Sequence, residues 1–167
     1  MEKQQIETDG EYSAVFKLCG LDEAGVREKC GELIKSEGNP SVRLEYDAAW
    51  GPEVTLYIHA SSEGELSAKK VAKPVVKELK NILGEKIYSM EADKTLEEVV
   101  VELLKENAMT VTAAESCTGG LFSARLINVA GASEVYKEGF ITYSNKAKRK
   151  YLGVKKGTLL KHTAVSD

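Results

Sequence analysis

A short β-rich run leads directly into two glycines and then into a helical pattern, and this order constrains the fold of the chain more than any other feature. The run is Met109–Ala113, the glycines are Gly119 and Gly120, and apolar residues recur at helical spacing from Leu121. Such a strand–turn–helix junction exposes backbone N–H groups where the helix begins, and the helix dipole adds positive potential there. The junction can hold a phosphate or an oxyanion, because glycine leaves the amides open to a ligand.

The turn of this junction contains two candidate nucleophiles, Ser116 and Cys117. Each needs a base within reach, because a serine hydroxyl is unreactive alone and a cysteine reacts as the thiolate. The alternative is that Ser116 or Thr118 only caps the following helix. The segment differs from the G-x-S-x-G nucleophile elbow, since Ala114 stands at the first glycine position, and it lacks the spacing of a P-loop.

Residues 12–92 are predicted to form a small α+β domain, preceded by a polar leader or linker at 1–11. Three runs are strand-like, and in two others apolar residues recur at helical spacing. The predicted order is strand 12–18, helix 22–36, strand 42–46, strand 54–58 and helix 62–83. This order predicts a sandwich that resembles half of a ferredoxin-like or KH-like unit.

Local signals in this domain predict a hairpin loop at Trp50-Gly51-Pro52 and a helix start at Ser62, which has capping-box spacing with Glu65. A KH domain grips nucleic acid through a GXXG loop. No such loop is visible, because Gly20 and Gly25 have the wrong spacing. The domain is therefore expected to be structural or an interaction module.

A second domain is expected to begin after a boundary at Asp93-Lys94. Thr95 and Glu98 have capping-box spacing, and a helical pattern runs from there to Asn107. Its predicted buried stripe contains Leu96, Val99, Val100, Leu103 and Leu104. The 73 residues at 95–167 are few for an independent hydrophobic core.

Charge is unevenly distributed along the 167 residues. Residues 1–94 carry 13 basic and 18 acidic side chains, whereas residues 95–167 carry 10 and 8. A basic segment near the end of the chain contains Lys146, Lys148, Arg149, Lys150, Lys155, Lys156 and Lys161. This segment is either a solvated face or a site for an anionic ligand. The overall formal charge of −3 argues against a dedicated nucleic-acid binder.

Composition argues against several other classes of protein. Three cysteines without a C-x-x-C pair and two distant histidines, His59 and His162, predict neither a disulfide framework nor a metal site. No apolar run approaches the roughly 20 residues that cross a bilayer, and the polar N-terminus is unlike a signal peptide. A cytoplasmic protein is therefore expected.

Three strings carry a family resemblance: AESCTGGL at 114–121, EGFITYSNKAKRKYLGV at 138–154 and TAVS at 163–166. Residues 95–167 resemble the C-terminal domain of the CinA family of competence- and damage-inducible proteins, which is similar to stand-alone nicotinamide-nucleotide amidohydrolases. Residues 12–92 resemble the KH-like middle domain of that family. The resemblance implies a KH-like sandwich followed by the first, truncated part of an α/β three-layer domain.

The resemblance implies hydrolysis of the carboxamide of nicotinamide mononucleotide, which yields nicotinate mononucleotide and ammonia without a cofactor. The catalytic serine, tyrosine and lysine of the family fall on Ser116, Tyr143 and Lys148. A lysine can act as the base where burial or neighbouring positive charge disfavours its ammonium form. A tyrosine between this lysine and the serine can relay the proton.

The substrate is expected to contact the turn and the helix that carries the lysine. The predicted substrate-binding residues are Cys117, Thr118, Gly119, Gly120 and Asn145. Their role would include an oxyanion hole made of the amides at 117–120, while Thr118 or the basic segment would bind the phosphate. Because the second domain looks incomplete, weak or absent activity is expected. The competing hypothesis is a non-catalytic fragment that assembles into a homo-oligomer through this domain.

Overall fold

Two units of mixed α/β structure arise from the strand and helix patterns of the chain. The computed structural model describes residues 6–8, 10–47 and 53–165. The chain divides between Leu96 and Glu97 into unit 1 and unit 2. The α+β class predicted from the sequence is confirmed by the element order. No helix in the described ranges is long and apolar enough to cross a membrane.

An antiparallel sheet forms the framework of unit 1. Its strands are β1 (Ile6–Thr8), β2 (Glu11–Leu18), β3 (Ser41–Asp47), β4 (Glu53–Ser61) and β5 (Ile87–Ser89). The strand order is β1-β2-β4-β3, and β5 also pairs with β2. Alternate residues of β2 and β4 are buried, because successive side chains of a strand point to opposite faces.

Sequence reasoning misses two strands of this sheet, β1 and β5. Each has three residues, too few to show an alternating pattern, and each pairs with one end of β2. Part of the segment that we predicted to be a polar leader, 1–11, is therefore a strand. The hairpin loop predicted at 50–52 lies outside the described residues.

Two helices complete unit 1, α1 (Glu23–Cys30) and α2 (Ala68–Leu83). Helix α2 packs against β2 and β4, and α1 packs against α2. Apolar residues from both helices and three strands form one continuous buried cluster, which includes Phe16, Val26, Val42, Leu56, Ile58, Leu79 and Leu83. The hydrophobic effect of burying this cluster is the main contribution to the stability of unit 1.

Helix α2 begins later than the capping-box spacing predicts. The N-cap residue is Ser67 rather than Ser62. The Ser62 hydroxyl donates instead to the carbonyl oxygen of Leu66, and the Ser62 amide donates to Gly10 at 2.8 Å. Ser62 is thus used to close the turn that precedes the helix. Leu66, which the pattern assigns to the apolar stripe, is 58% exposed.

Unit 2 is built on two parallel strands, β6 (Val111–Glu115) and β7 (Tyr136–Ile141). Its helices are α3 (Leu96–Glu106), α4 (Leu121–Ile127), α5 (Asn145–Leu152) and α6 (Lys156–His162). The predicted strand–turn–helix junction is confirmed, because β6 leads through the glycine pair into α4. Its buried apolar cluster contains Val101, Leu126, Ala132 and Val135.

The buried face of α3 differs from the predicted stripe. Val101 is buried, whereas Leu103 is 51% exposed. Val100 and Leu104 pack against the buried cluster, as the pattern predicts. Helical spacing indicates which residues share a face, but contact with the small core of unit 2 decides which face is buried.

Glu115, the last residue of β6, supplies the cap of α4. The N-cap position is occupied by Gly120, which has no side chain to bind the first amides of the helix. The Glu115 carboxylate accepts instead from the amides of Phe122 and Ser123, both at 3.0 Å, and from the Thr118 hydroxyl at 2.8 Å. The Ser123 hydroxyl also donates to it.

These hydrogen bonds hold the carboxylate in its ionised form. The Ser123 hydroxyl makes the largest contribution, and together the bonds lower the pKa of Glu115 from 4.5 to about 2. Burial of the carboxylate opposes the shift but does not cancel it. The cap therefore consists of an anion held by four donors.

The core of unit 1 is tested by comparing Leu56→Ala with Leu66→Ala. Leu56 is fully buried and Leu66 is 58% exposed. We expect Leu56→Ala to lower the free energy of unfolding by about 2–5 kcal/mol and Leu66→Ala to change it by less than about 0.5 kcal/mol. Urea unfolding followed by circular dichroism measures both. Equal losses would contradict the assigned core.

The cap of α4 makes the stability of unit 2 depend on pH through Glu115. Because the folded pKa lies below 4.5, the stabilisation is fully present above about pH 4.5 and is lost as the pH falls towards about 2. Glu115→Gln should therefore be less stable than the unchanged chain near neutral pH, and the difference should shrink towards about pH 3. Urea midpoints read at resonances of unit 2 measure this difference.

The matched control for this prediction is Glu138→Gln, an exposed position on β7. Both variants retain Glu134, whose pKa is lowered by a hydrogen bond from Lys105, so its pH dependence cancels in the comparison. A stability difference for Glu115→Gln that stays constant with pH would contradict the ionised cap.

Candidate active site

The turn after β6 places Ser116 directly beyond the end of that strand. The amide of Gly119 donates to the carbonyl oxygen of Ser116 at 3.1 Å and closes the turn. Gly119 and Gly120 have φ values of +62° and +101°, which favour glycine. A Cβ at Gly120 would also lie 2.9 Å from Cδ1 of Ile141. The glycine pair therefore allows the turn to approach β7.

Lys148 reaches Ser116 from helix α5. Its Nζ lies 2.7 Å from Ser116 Oγ and 2.7 Å from the carbonyl oxygen of Thr142. Helix α5 begins at the N-cap residue Ser144, whose hydroxyl accepts from the amide of Ala147 at 3.0 Å. The Lys148 side chain, one turn into this helix, is thereby held against the serine. A neutral lysine amine at this distance can accept the serine proton.

Thr142 connects the lysine to the strand that carries the serine. It is 2% exposed, and both its amide, at 2.7 Å, and its hydroxyl, at 3.3 Å, donate to the Glu115 carbonyl oxygen. The carbonyl oxygen of Thr142 in turn accepts from Lys148 Nζ. The backbones at the ends of both strands thus fix the distance between Ser116 and Lys148. These two residues are called the Ser116–Lys148 pair below.

Tyr143 does not lie between the serine and the lysine. Its side chain is 75% exposed, and the direct contact of 2.7 Å between Lys148 Nζ and Ser116 Oγ leaves no gap for a relay. Thr142, the residue before it, is buried. The direct contact replaces the predicted relay geometry, and a catalytic role of Tyr143 stays a prediction.

The backbone amides of the turn divide into two sets. In the part of the chain that the structure describes, no hydrogen bond uses the amides of Cys117, Thr118 and Gly120. The Gly119 amide, which we predicted to join them, is taken by the Ser116 carbonyl oxygen. The first set can bind an oxyanion, because its donors stand in the turn that begins at the serine.

The Thr118 hydroxyl donates to the Glu115 carboxylate, so it is already used and is not available to the phosphate as predicted. Cys117 and Asn145 are both exposed, and Asn145 is the first residue of α5. Their predicted contact with substrate stays a prediction.

Helix α5 also presents exposed basic side chains, Lys146, Arg149 and Lys150. None of the three pairs with an acidic side chain among the described residues. Lys150 Nζ lies 4.8 Å from the ring centroid of Tyr151, a cation–π contact. The positive potential of these side chains favours an anion near the helix that carries Lys148. In the described ranges no group of His, Cys, Asp and Glu side chains could hold a metal ion.

Glu115 is the residue that sequence reasoning missed in this site. The alternative that Ser116 or Thr118 caps α4 is wrong, because the Glu115 carboxylate accepts from the amides of the first turn. The available signal was an acidic residue directly before the nucleophile, followed by hydroxyl residues at 118 and 123. This spacing matches no capping box, so the pattern alone does not reveal it.

Comparison with known proteins relates both halves of the chain to one family. The family model of the CinA C-terminal domain matches residues 93–167, and the model of the damage-inducible protein CinA KH domain matches residues 13–89. The CinA-like proteins of Kosmotoga olearia and Dictyoglomus turgidum are each 44% identical over 156 residues. This alignment covers 93% of the chain but only 37% of the length of these curated relatives.

Two solved structures are similar over a shorter part of the chain. The competence/damage inducible protein CihA from Agrobacterium tumefaciens is 44% identical, covers 42% of this chain and 43% of its own, and has a TM-score of 0.42. The CinA superfamily protein KP700603 from Klebsiella pneumoniae is 40% identical, covers 43% and 45%, and has a TM-score of 0.42. The models of two CinA domains together match most residues of this chain. The chain therefore belongs to the CinA family.

Proposed function

We propose that this chain carries the nucleophile and base of an amidohydrolase that converts nicotinamide mononucleotide into nicotinate mononucleotide and ammonia. The observation that carries the proposal is the distance of 2.7 Å between Lys148 Nζ and Ser116 Oγ at a glycine-rich strand–turn–helix junction. A serine becomes nucleophilic only when a base can take its proton, and this lysine is in contact with it.

In the proposed reaction Ser116 Oγ attacks the carboxamide carbon, and its proton passes to the neutral amine of Lys148. The new C–O bond produces a tetrahedral oxyanion, which the amides of Cys117, Thr118 and Gly120 stabilise. The C–N bond then breaks as Lys148 returns the proton to the leaving nitrogen, so ammonia departs and an ester on Ser116 remains. Water cleaves this ester with Lys148 again as base, which restores the serine hydroxyl and releases the carboxylate.

The surroundings of Lys148 support its role as a base. Lys146, Arg149 and Lys150 stand on the same helix as Lys148. The contact between Lys148 Nζ and Ser116 Oγ is partly buried. The carbonyl oxygen of Thr142 keeps Nζ in place in either protonation state. The positive charge of these basic side chains also suits the phosphate of a mononucleotide. For this reason the proposed substrate is an amide that carries a phosphate group.

Exposed apolar side chains favour a second candidate function, non-catalytic assembly with further copies of the chain. On unit 2, several large apolar side chains remain at least 47% exposed, among them Leu121, Phe122, Ile141 and Leu160. Exposed apolar side chains that lie together on a surface often mark interaction sites. Sedimentation of the chain at several concentrations separates the candidates. A stable oligomer that releases no ammonia would favour assembly, whereas a monomer that turns over nicotinamide mononucleotide would contradict it.

The roles of the Ser116–Lys148 pair are tested by Ser116→Ala and Lys148→Met. Each removes one partner of the 2.7 Å contact, so we expect ammonia release from nicotinamide mononucleotide to fall by about 10³-fold or more. Cys117→Ala keeps the backbone amide and should retain most of the activity. Loss in Cys117→Ala with retention in Ser116→Ala would identify the cysteine as the nucleophile and contradict the proposal.

A separate experiment asks whether Tyr143 transfers protons. Direct contact between lysine and serine predicts that Tyr143→Phe keeps kcat within about tenfold, since loss of a group that transfers protons costs about 10²–10⁴-fold. If the exposed phenol contacts substrate, KM should rise instead. Steady-state kinetics with nicotinamide mononucleotide gives both constants. A loss of kcat equal to that of Lys148→Met would restore the relay.

A further inference from the structure

Glu115 is bonded to both sides of the turn that holds the nucleophile. Its side chain is 7% exposed and accepts from Thr118 on one side of the glycine pair and from Phe122 and Ser123 on the other. A buried carboxylate is costly unless its oxygens are satisfied by donors, so these bonds hold their partners firmly. The two ends of the turn are thereby fixed relative to the strand residue that precedes Ser116.

The main chain of Glu115 is linked to Lys148 through Thr142. Its carbonyl oxygen accepts from the Thr142 amide at 2.7 Å, and the Thr142 carbonyl oxygen accepts from Lys148 Nζ at 2.7 Å. A continuous path therefore runs from the Glu115 carbonyl through Thr142 to the lysine. The side chain of Glu115, through its hydrogen bonds, fixes the turn that carries Ser116.

The network extends from Glu115 to β7 through Ser123. The Ser123 hydroxyl lies 2.6 Å from the Tyr136 hydroxyl, at the first residue of β7. Tyr136 OH occupies the space beside Gly139, where a Cβ would lie only 1.9 Å from it. Glu115 is thus linked to β7 by its side chain as well as by its main chain.

We propose that Glu115 is the positioning residue of the Ser116–Lys148 pair, acting through the turn on the serine and through Thr142 on the lysine. The inference rests on the proposed function for its catalytic consequence, but the geometry that it describes can be measured without turnover. Glu115 touches neither the reacting hydroxyl nor the amine in this arrangement. It is therefore a positioning residue and not a catalytic one.

The direct test replaces the carboxylate while leaving the main chain and the shape of the side chain in place. Glu115→Gln puts an amide NH₂ where one oxygen accepts from backbone donors, so the turn must shift to relieve the conflict. Thr118→Val removes one donor, at 2.8 Å, and is the milder variant. The matched control is Thr112→Val on the same strand, which loses a comparable bond from Thr112 Oγ1 to the Glu138 carbonyl oxygen.

The first readout is the resonance of Lys148 Cε and Nζ in the full chain with labelled lysine, assigned through Lys148→Met. Ser116→Ala calibrates the shift that follows loss of the serine contact. We expect Glu115→Gln to shift the resonance in the same direction, Thr118→Val to shift it less, and Thr112→Val to leave it unchanged. An unchanged resonance in folded Glu115→Gln would overturn the inference. If that variant does not fold, an unchanged resonance in Thr118→Val would overturn it.

The second readout is turnover of nicotinamide mononucleotide. Misplacement of reacting groups by about 1 Å can cost about 10²-fold, so we expect Glu115→Gln to lower kcat by that order and to change KM by less than about threefold. A residue that only stabilises the fold would leave kcat of the folded fraction at the level of Thr112→Val, which would overturn the inference. If Ser116→Ala does not change ammonia release, the proposed function fails, and the Lys148 resonance still decides the role of Glu115.

Discussion

A buried carboxylate needs hydrogen-bond donors, and the way in which unit 2 satisfies Glu115 determines most of its local structure. The Glu115 side chain uses the first amides of α4, so the helix starts without a capping side chain at Gly120. Because those amides are used, the open amides lie earlier in the turn, next to Ser116. The same residue holds Thr142 through its carbonyl oxygen. The position of the candidate nucleophile and that of its base thus follow from one residue.

The two units differ in the interactions that stabilise each of them internally. Unit 1 has a continuous apolar cluster that spans sheet and helices, with residues such as Phe16, Leu56 and Leu79 fully buried. The buried apolar cluster of unit 2 is much smaller, and large apolar side chains such as Phe122 and Ile141 remain exposed. Hydrogen bonds that join Glu115 to Thr118, to Thr142 and to the first turn of α4 therefore contribute a larger share of the order in unit 2. The charge follows the same division, with the basic segment on unit 2.

Features that depend on local periodicity could be predicted from the sequence. The alternation through Val54, Leu56 and Ile58 marks a strand whose residues are buried as expected, and the glycine pair marks the turn before α4. Features that depend on a choice among competing partners could not. The Ser62 hydroxyl accepts from the Gly64 amide and donates to the Leu66 carbonyl oxygen, both before the helix, and capping-box spacing does not tell which partners it binds.

The candidate site shows the same limit. The resemblance predicts a catalytic role for Ser116 and Lys148, but their direct contact depends on how β7 ends and α5 begins, which no spacing encodes. Tyr143 is adjacent to the buried Thr142 in sequence, and only the fold shows that its side chain turns outward. The role of Glu115 as a helix cap could not be predicted, because the amides that it binds lie seven and eight residues later in the sequence.

The glycine in the middle of β7 has a consequence for how the sequence of this site can vary. Gly139 leaves room for the hydroxyl of Tyr136, which a side chain at 139 would push away from Ser123. The two positions are therefore not independent: a larger residue at 139 requires either that the Tyr136 side chain moves away or that a shorter residue stands at 136. Such a paired exchange would preserve the packing of the strand while removing the last hydroxyl that reaches Glu115 through Ser123.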